Sequence, residues 1–239
     1  MFGQKGSGMY RFVLFVFLGV LVGGCQTTHF FKSEHLRASD QTRRILLMPV
    51  DVELSELTAS GIPVANAKWT KNAEKHIEEA LRKIFGERFS ELVLYERGPQ
   101  DDDASSTRAQ LIKLHGVVGG TAMAHQLGTA LRLPSKKDKF DWTLGSSARE
   151  LKSEYDADYG LFIHVRDSYA SEGRVALILT AALFGVTVQG GQQVGYATLV
   201  DLENGDIAWF NFLFRGAGDL RTYEPAEKTV QALLTQFPK

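Results

Sequence analysis

The chain has 239 residues, of which 44% are hydrophobic and 23% charged, as in an ordinary globular domain. This composition argues against a disordered chain and against a fibrous repeat. With 27 basic and 28 acidic residues the net charge is −1, so nucleic acid is not an expected partner. The single cysteine, Cys25, excludes an internal disulfide and a zinc site built from cysteines.

The N-terminus has the pattern of an export signal. Lys5 and Arg11 flank the start of an apolar run at residues 12–22. This run is shorter than the ~20 residues that a membrane-spanning helix needs. Two small residues, Gly23 and Gly24, follow it, as they do at the cleavage site of an exported protein.

Residues 21–25 (LVGGC) resemble the lipobox of bacterial lipoproteins. The resemblance implies that residues 1–24 are a signal peptide, and that Cys25 receives a diacylglyceryl group and becomes the acylated first residue. Two alternatives are a plain export signal with an incidental cysteine and a signal anchor. Because Gln26 stands where an inner-membrane retention signal usually has Asp, the resemblance implies the periplasmic face of the outer membrane.

The mature chain divides into two parts. Residues 25–42 are polar without a sustained period, and we predict a lipid-anchored tether there. Residues 43–239 are predicted to form a single periplasmic α/β domain.

Periodicity predicts the elements of the first half of this domain. Residues 45–52 read as a buried strand, in which Pro49 indicates an edge position or a bulge. An amphipathic helix is predicted over residues 67–85 and a second strand over 92–95. Residues 107–131 have a helical pattern interrupted by glycines, which favours two short helices, the second capped by Thr121.

The second half has clearer signals. A capping box at Ser147 and Glu150 opens a helix that ends near Tyr155, and a strand follows at residues 159–168. Asn204 and Gly205 predict a tight turn between hairpin strands. Those strands are residues 194–202 and 207–214, and an amphipathic helix at 224–237 closes the chain.

The resulting order, β-α-β-α-α-β, apolar insert, β-β-α, predicts an α/β fold: a mixed β-sheet of about five strands with covering helices. Residues 157–163 (ADYGLFI) and 200–209 (VDLENGDIAW) resemble the periplasmic lipoproteins related to the curli-secretion protein CsgG, whose core is similar to the N-terminal domain of TolB. The resemblance implies non-enzymatic envelope roles and, in many members, ring-shaped oligomers. It carries no functional residues to this chain.

The apolar insert is residues 175–188 (VALILTAALFGVTV), which contain no charge. As a helix they would cover about 21 Å, short of a hydrocarbon core of ~30 Å. Three interpretations are open: a core helix or buried strand pair, an oligomer contact, and partial insertion into the membrane. The predicted membrane or oligomer contact residues are Val175, Leu177, Ile178, Leu179, Leu183 and Phe184.

The sequence shows no catalytic or metal-binding pattern. His164, Asp167 and Ser168 lie close in sequence, but alternation along a strand places His164 and Ser168 on one face and Asp167 on the other. The six histidines lack the spacing of a helical zinc site, so we predict neither a metal nor another cofactor. Trp69, Trp142 and Trp209 are interpreted as core anchors.

These observations predict a lipid-anchored periplasmic binding and assembly protein rather than an enzyme. Its expected partners are the membrane, through the lipid on Cys25, and either copies of itself or other envelope proteins. Its expected role is accessory to envelope assembly or export. The alternatives are a subunit of an outer-membrane secretion channel and a tethered periplasmic hydrolase.

Overall fold

The computed structural model describes residues 28–33, 43–86, 92–95, 103–137, 139–216 and 218–238. The strands are β1 Thr28–Ser33, β2 Ile45–Leu47, β3 Asp51–Leu57, β4 Pro63–Ala65, β5 Leu92–Leu94, β6 Tyr159–Ala170, β7 Gln192–Asp201 and β8 Ile207–Arg215. The helices are α1 Ala67–Gly86, α2 Asp103–Leu127, α3 Ala148–Tyr155, α4 Glu172–Leu183 and α5 Tyr223–Leu233, with a 3₁₀ turn at Thr129–Leu131.

The described strands form one mixed sheet, which confirms the predicted α/β class. The order along the sheet is β1-β8-β7-β6-β2-β5, with β3 beside β6 and β4 beside β3. Strands β2 and β3 run parallel to β6, and β5 runs parallel to β2, whereas β6, β7, β8 and β1 are antiparallel neighbours. The sheet has eight strands, against about five predicted, because β1 and β4 were not recognised and one predicted strand is divided.

The divided strand is interrupted around Pro49. Both halves pair with β6, since Leu47 lies opposite Leu161 and Asp51 opposite His164. The four-residue advance from Leu47 to Asp51 therefore matches a three-residue advance from Leu161 to His164 on β6, which is the register of a one-residue bulge. Proline has no N–H to donate to the ladder. The bulge expected at Pro49 is confirmed.

Strand β1 lies inside the segment predicted to be an irregular tether. Its residues pair antiparallel with β8, with Thr28 opposite Phe214 and Ser33 opposite Trp209. Without β1, the N–H and C=O groups along the outer side of β8 would lack strand partners. This part of the predicted tether is therefore regular structure that extends the sheet.

Helices cover both faces of the sheet. Alternation along β8 sends Trp209 and Leu213 to one face and Phe210 and Phe212 to the other. The first face packs against α1 and α5, and the second packs against α2 and α3. Helix α1 buries the apolar stripe that its sequence predicts, including Ala73, Ile77, Ala80 and Leu81.

Helix α2 is continuous, so the prediction of two short helices is wrong. A Cβ at Gly119 would lie 2.3 Å from Cε2 of Tyr196, so the glycine lets the buried ring of Tyr196 pack directly on the helix backbone. Thr121 does not cap a second helix, because its hydroxyl donates to the carbonyl of Val117 one turn earlier, at 2.7 Å.

The remaining predicted elements are present, with one local error. Helix α3 ends at Tyr155 as expected, but Ser147 has helical backbone angles (φ −62°, ψ −20°) and its side chain makes no cap hydrogen bond. The predicted capping box is therefore wrong, because Ser147 already lies in a turn of helical geometry. The β7–β8 hairpin is confirmed, and Gly205 has the positive φ, +83°, that the turn requires. The closing helix is present as α5, but it ends at Leu233, four residues before its predicted end.

Candidate functional site

The apolar insert forms an exposed helix, α4, and an irregular segment that returns from it. No residue of α4 is buried. The exposed fractions reach 65% at Leu179, 84% at Leu183 and 79% at Phe184. The interpretation of this segment as a core helix or buried strand pair is wrong, since a helix in the core would hide these side chains.

Local interactions define both ends of α4. Ser171 has an extended backbone and its hydroxyl accepts a hydrogen bond from the N–H of Arg174 at 3.2 Å, which is an N-cap. At the other end, the N–H groups of Phe184 and Gly185 bond the carbonyls of Ala181 and Ala182. Gly185 then takes a φ of +71°, and the chain reverses.

The chain after the reversal runs back along the helix. Near the reversal, the N–H of Val186 donates to the carbonyl of Ala181 at 3.0 Å. Near the start of the helix, Nε of Arg174 donates to the carbonyl of Gln189 at 2.9 Å. Residues 172–191 therefore form a helix with an irregular return segment packed along it, which we name the apolar finger.

The finger is attached firmly to the domain. The hydroxyl of Ser168 bonds both backbone polar groups of Gln192, and the N–H of Ser171 donates to the carbonyl of Leu57. Arg174 also donates to the carbonyl of Ala59 at 3.3 Å. The turn between β3 and β4, which contains Ala59, thus supports the root of the finger.

Exposure increases along the finger. Val175 and Leu177 are 44% and 42% exposed and Ile178 is half-buried; we name these three residues the finger base. The finger tip comprises the more exposed Leu179, Leu183, Phe184 and Val186. All six predicted contact residues lie on these two surfaces.

Other exposed apolar residues adjoin the root of the finger. Ile62 and Val64, in the turn and strand after β3, are 62% and 53% exposed. Monomeric soluble proteins rarely expose large contiguous apolar patches unless these serve as contact surfaces. The finger and its surroundings are therefore the best candidate for a functional surface in the described part of the chain.

His164 takes part in a second, polar cluster. Its Nδ1 lies 2.9 Å from Oδ2 of Asp51, and the guanidinium of Arg166 bonds the other oxygen of Asp51 at 2.8 Å. Burial raises the pKa of Asp51, but the hydrogen bond and charge of His164, followed by those of Arg166, outweigh it and hold the pKa at about 2. Asp51 carries no signal in the sequence, because its partner becomes evident only from the register of β3 on β6.

This cluster is not arranged as a catalytic triad. The ring of His164 stacks on that of Tyr196 at 4.6 Å, whereas Asp167 accepts hydrogen bonds from Tyr169 (2.5 Å) and Gln193 (2.7 Å) on the opposite face. The predicted alternation of His164 and Asp167 is confirmed. Ser168 bonds the backbone of Gln192 and does not approach His164 as a nucleophile would.

Two other histidines are structural. His115 is buried among Phe162 and Tyr196, and burial, followed by the charge of His164, lowers its pKa to about 3. His125 accepts a hydrogen bond from the N–H of Leu133 at 2.9 Å. In the described ranges, no group of three or more His, Cys, Asp or Glu residues is placed to hold a metal ion.

The three tryptophans pack in or against the core, as their sequence context predicts. Trp209 is fully buried between the sheet and α5, and Trp142 is 7% exposed in the other core layer. Trp69 packs against the first layer at its edge, with the guanidinium of Arg221 over its ring at 5.2 Å. None of the three forms part of the apolar finger.

A shallow depression lies beside Pro49 at the carboxyl ends of the parallel strands β2 and β5, a position where α/β proteins often bind ligands. Its polar lining comes from Glu74, Glu78 and Arg82 of α1 and from Tyr95. The lining includes no serine, threonine, cysteine or histidine, which leaves Glu74 and Glu78 as its candidate acid–base groups. It offers a weaker candidate than the finger.

The predicted site of lipid attachment lies outside the residues that the structure describes. Cys25 and the predicted signal peptide, residues 1–24, precede the first described residue, Thr28. Among the residues from Thr28 onwards that the structure describes, no helix has the length and hydrophobicity needed to cross a membrane.

Comparison with known proteins gives no family. No protein-family model matches the chain, and no curated protein matches it. A PelC dodecamer from Paraburkholderia phytofirmans is similar at a TM-score of 0.41 and 12% identity, covering 88% of this chain and 96% of that one. A point variant of the same dodecamer gives 0.40 and 12%, covering 89% and 96%. TM-scores this low support no assignment of fold or function.

Proposed function

We propose that the protein is a lipid-anchored envelope protein with an accessory role in envelope assembly or export, and that it acts by contacts between copies of itself. The lipid on Cys25 holds it at the periplasmic face of the outer membrane. The observation that carries the proposal is the apolar finger, a helix of which no residue is buried. The resemblance to the CsgG-related lipoproteins agrees with this role and stays a prediction.

The finger base provides the contact between copies. Burying a Leu, Ile or Val side chain contributes about 1.5–3 kcal/mol, so Val175, Leu177 and Ile178 together supply several kcal/mol at most. Association in solution costs about 4–15 kcal/mol in lost freedom. The base is therefore sufficient only when the copies are already concentrated, as they are when lipid confines them to one membrane surface.

Co-capture from cells tests this contact. Two differently tagged copies are produced together and cross-linked in the intact envelope, the envelope is then solubilised in mild detergent, and one tag is used to recover the other. We expect recovery for the parent and loss of most recovery for Leu177→Asp, because the carboxylate would have to be buried between copies. Leu114→Asp is the matched control, since Leu114 is also on a helix and is 40% exposed against 42% for Leu177.

Two results would contradict the proposal. Equal recovery for the parent and Leu177→Asp would show that the base makes no contact between copies. Equal loss in Leu177→Asp and Leu114→Asp would show a general effect of a new surface charge rather than a specific interface.

The channel alternative is less well supported. Helix α4 has 12 residues and rises about 18 Å, well short of a ~30 Å hydrocarbon core. A finger of this length reaches into one leaflet and lines no complete passage. The accessory role accounts for the same exposed surface without requiring it to span the membrane.

A further inference from the structure

We infer that the finger tip docks into the lipid bilayer to which Cys25 is attached. One end of the sheet then faces the membrane, and the domain has a fixed orientation instead of moving freely on a flexible tether. The inference rests on the lipid anchor of the proposed function. It concerns the tip, Leu179, Leu183, Phe184 and Val186, and leaves the finger base for the contact between copies.

The strand register places the anchor and the finger at the same end of the sheet. Thr28 pairs with Phe214, Phe214 with Val194, and Val194 with Arg166, so these four residues form one row across β1, β8, β7 and β6. From that row, β6 continues to Ala170 and enters the finger. Because β1 is antiparallel to β8, its first residue, Thr28, lies at this same end of the sheet.

Chain length and strand spacing limit how far Cys25 can lie from the root of the finger. The three peptide links between Cys25 and Thr28 can span at most about 11 Å. Three strand spacings of ~4.8 Å put β1 about 14 Å from β6 across the sheet. A lipid on Cys25 is therefore held at the end of the sheet from which the finger projects, and no long tether can carry it elsewhere.

The chemistry of this end suits hydrocarbon. The finger contains no charged residue after Arg174, and the uncharged run continues through Gln193. Its most exposed side chains are aliphatic or aromatic, with Leu183 at 84% and Phe184 at 79%. Interfacial segments bury their apolar face about 5–10 Å into the boundary between headgroups and acyl chains, which the tip of an ~18 Å helix can reach.

The turn after β3 provides a second exposed apolar surface at the same end of the sheet as the finger. Strand β3 runs parallel to β6, and its last residue, Leu57, pairs with Ala170, the last of β6. The turn that follows leads to the exposed Ile62 and Val64. Together with the tip and the acyl chains, this turn gives the domain more than one point of support on a membrane surface, which would fix its orientation.

Tryptophan fluorescence in vesicles tests the docking. The lipidated mature protein is reconstituted into phosphatidylethanolamine–phosphatidylglycerol vesicles that contain brominated phosphatidylcholine, a quencher located among the acyl chains. Leu183→Trp reports the tip, and Leu179→Trp is a second reporter should one variant fold poorly. Ser146→Trp is the control, because Ser146 is exposed and adjoins Gly145, which contacts the β7–β8 turn at the other end of the sheet.

The expected result is a difference between the two ends. A tip that reaches about 5–10 Å into the bilayer should lose roughly half of the emission added by Leu183→Trp, together with a blue shift. Ser146→Trp should keep its emission. The parent protein supplies the background from Trp69, Trp142 and Trp209.

Three outcomes would overturn the inference in distinguishable ways. Vesicle-bound protein with unquenched, solvent-like emission at Leu183→Trp would leave the anchor intact and remove the docking. Blue-shifted emission without quenching would assign the tip to a contact between copies. Protein that fails to float with the vesicles at all would remove the lipid anchor and, with it, the proposed function.

Discussion

Gly119 and Gly120 are adjacent on α2, and the structure predicts opposite effects when each is replaced by alanine. A Cβ at position 119 would lie 2.3 Å from Cε2 and 2.7 Å from Cδ2 of Tyr196, distances at which atoms overlap. At position 120 the nearest atom is the Tyr196 hydroxyl at 3.7 Å, an ordinary contact. Both substitutions gain the higher helix propensity of alanine, about 0.8–1 kcal/mol.

The ring of Tyr196 cannot easily move away from a new Cβ. It is 2% exposed, it stacks on His164, and its hydroxyl donates to the carbonyl of Gly116 at 2.5 Å. Overpacking of this kind costs about 1–3 kcal/mol, which matches or exceeds the gain in propensity. We therefore expect Gly119→Ala to lower the free energy of unfolding by up to about 2 kcal/mol, and Gly120→Ala to raise it by about 0.5–1 kcal/mol.

Urea unfolding followed by circular dichroism measures both variants against the parent. The difference between the two variants, about 1–3 kcal/mol, is the most sensitive quantity because their gain in propensity cancels and only the overpacking cost remains. If Gly119→Ala were as stable as Gly120→Ala, the ring of Tyr196 would not need the space that the missing side chain of Gly119 leaves.

Three further predictions concern separate parts of the chain. The pKa of Asp51 in the folded protein is about 2, below the ordinary 3.8, so its ion pairs stabilise the protein above pH ~4 and lose that effect as the pH falls towards ~2. The difference in unfolding free energy between the parent and Asp51→Asn, from urea midpoints, should shrink over that window. A difference that stays constant would contradict the ion pairing. Gly205→Ala should lower the free energy of unfolding by about 1–3 kcal/mol or more, because its φ is +83° and a Cβ would lie 2.0 Å from the carbonyl oxygen of Gly145. An unchanged melting curve would contradict the positive φ and the close contact at this turn. Cys25→Ala should lose its acyl chains and, in cell fractionation, its firm membrane association, and an equally tight membrane fraction would remove the anchor.

Local patterns were sufficient wherever an element's own residues determine it. The period of α1, the alternation of β6 and the Asn204–Gly205 turn each reflect interactions within a short stretch, and the structure confirms them. The buried stripe of α5 follows for the same reason.

The errors occur where a distant partner decides the local structure. Strand β1 has no strong pattern and is ordered by β8, far along the chain. Gly119 reads as a helix breaker until the ring of Tyr196 is known to occupy the missing side-chain volume. Asp51 reads as an ordinary strand residue until the bulge at Pro49 sets it beside His164 and Arg166.

The apolar insert could not be interpreted from composition alone. A run such as residues 175–188 has the same hydrophobicity whether a core, a neighbouring copy or a bilayer covers it, and only the fold shows which side chains the domain itself leaves uncovered. The fold buries no residue of α4, and the strand register places α4 at the end of the sheet where β1 begins.

Chemical cross-linking in the intact envelope, before any detergent is added, tests the central claim of self-assembly most directly, because the lipid still confines the copies to one surface. On denaturing gels the parent and Leu114→Asp should each give one discrete cross-linked species, and Leu177→Asp should stay at the mass of a single protomer. A parent protein that stays at the mass of a single protomer at every cross-linker concentration would contradict assembly through the finger base.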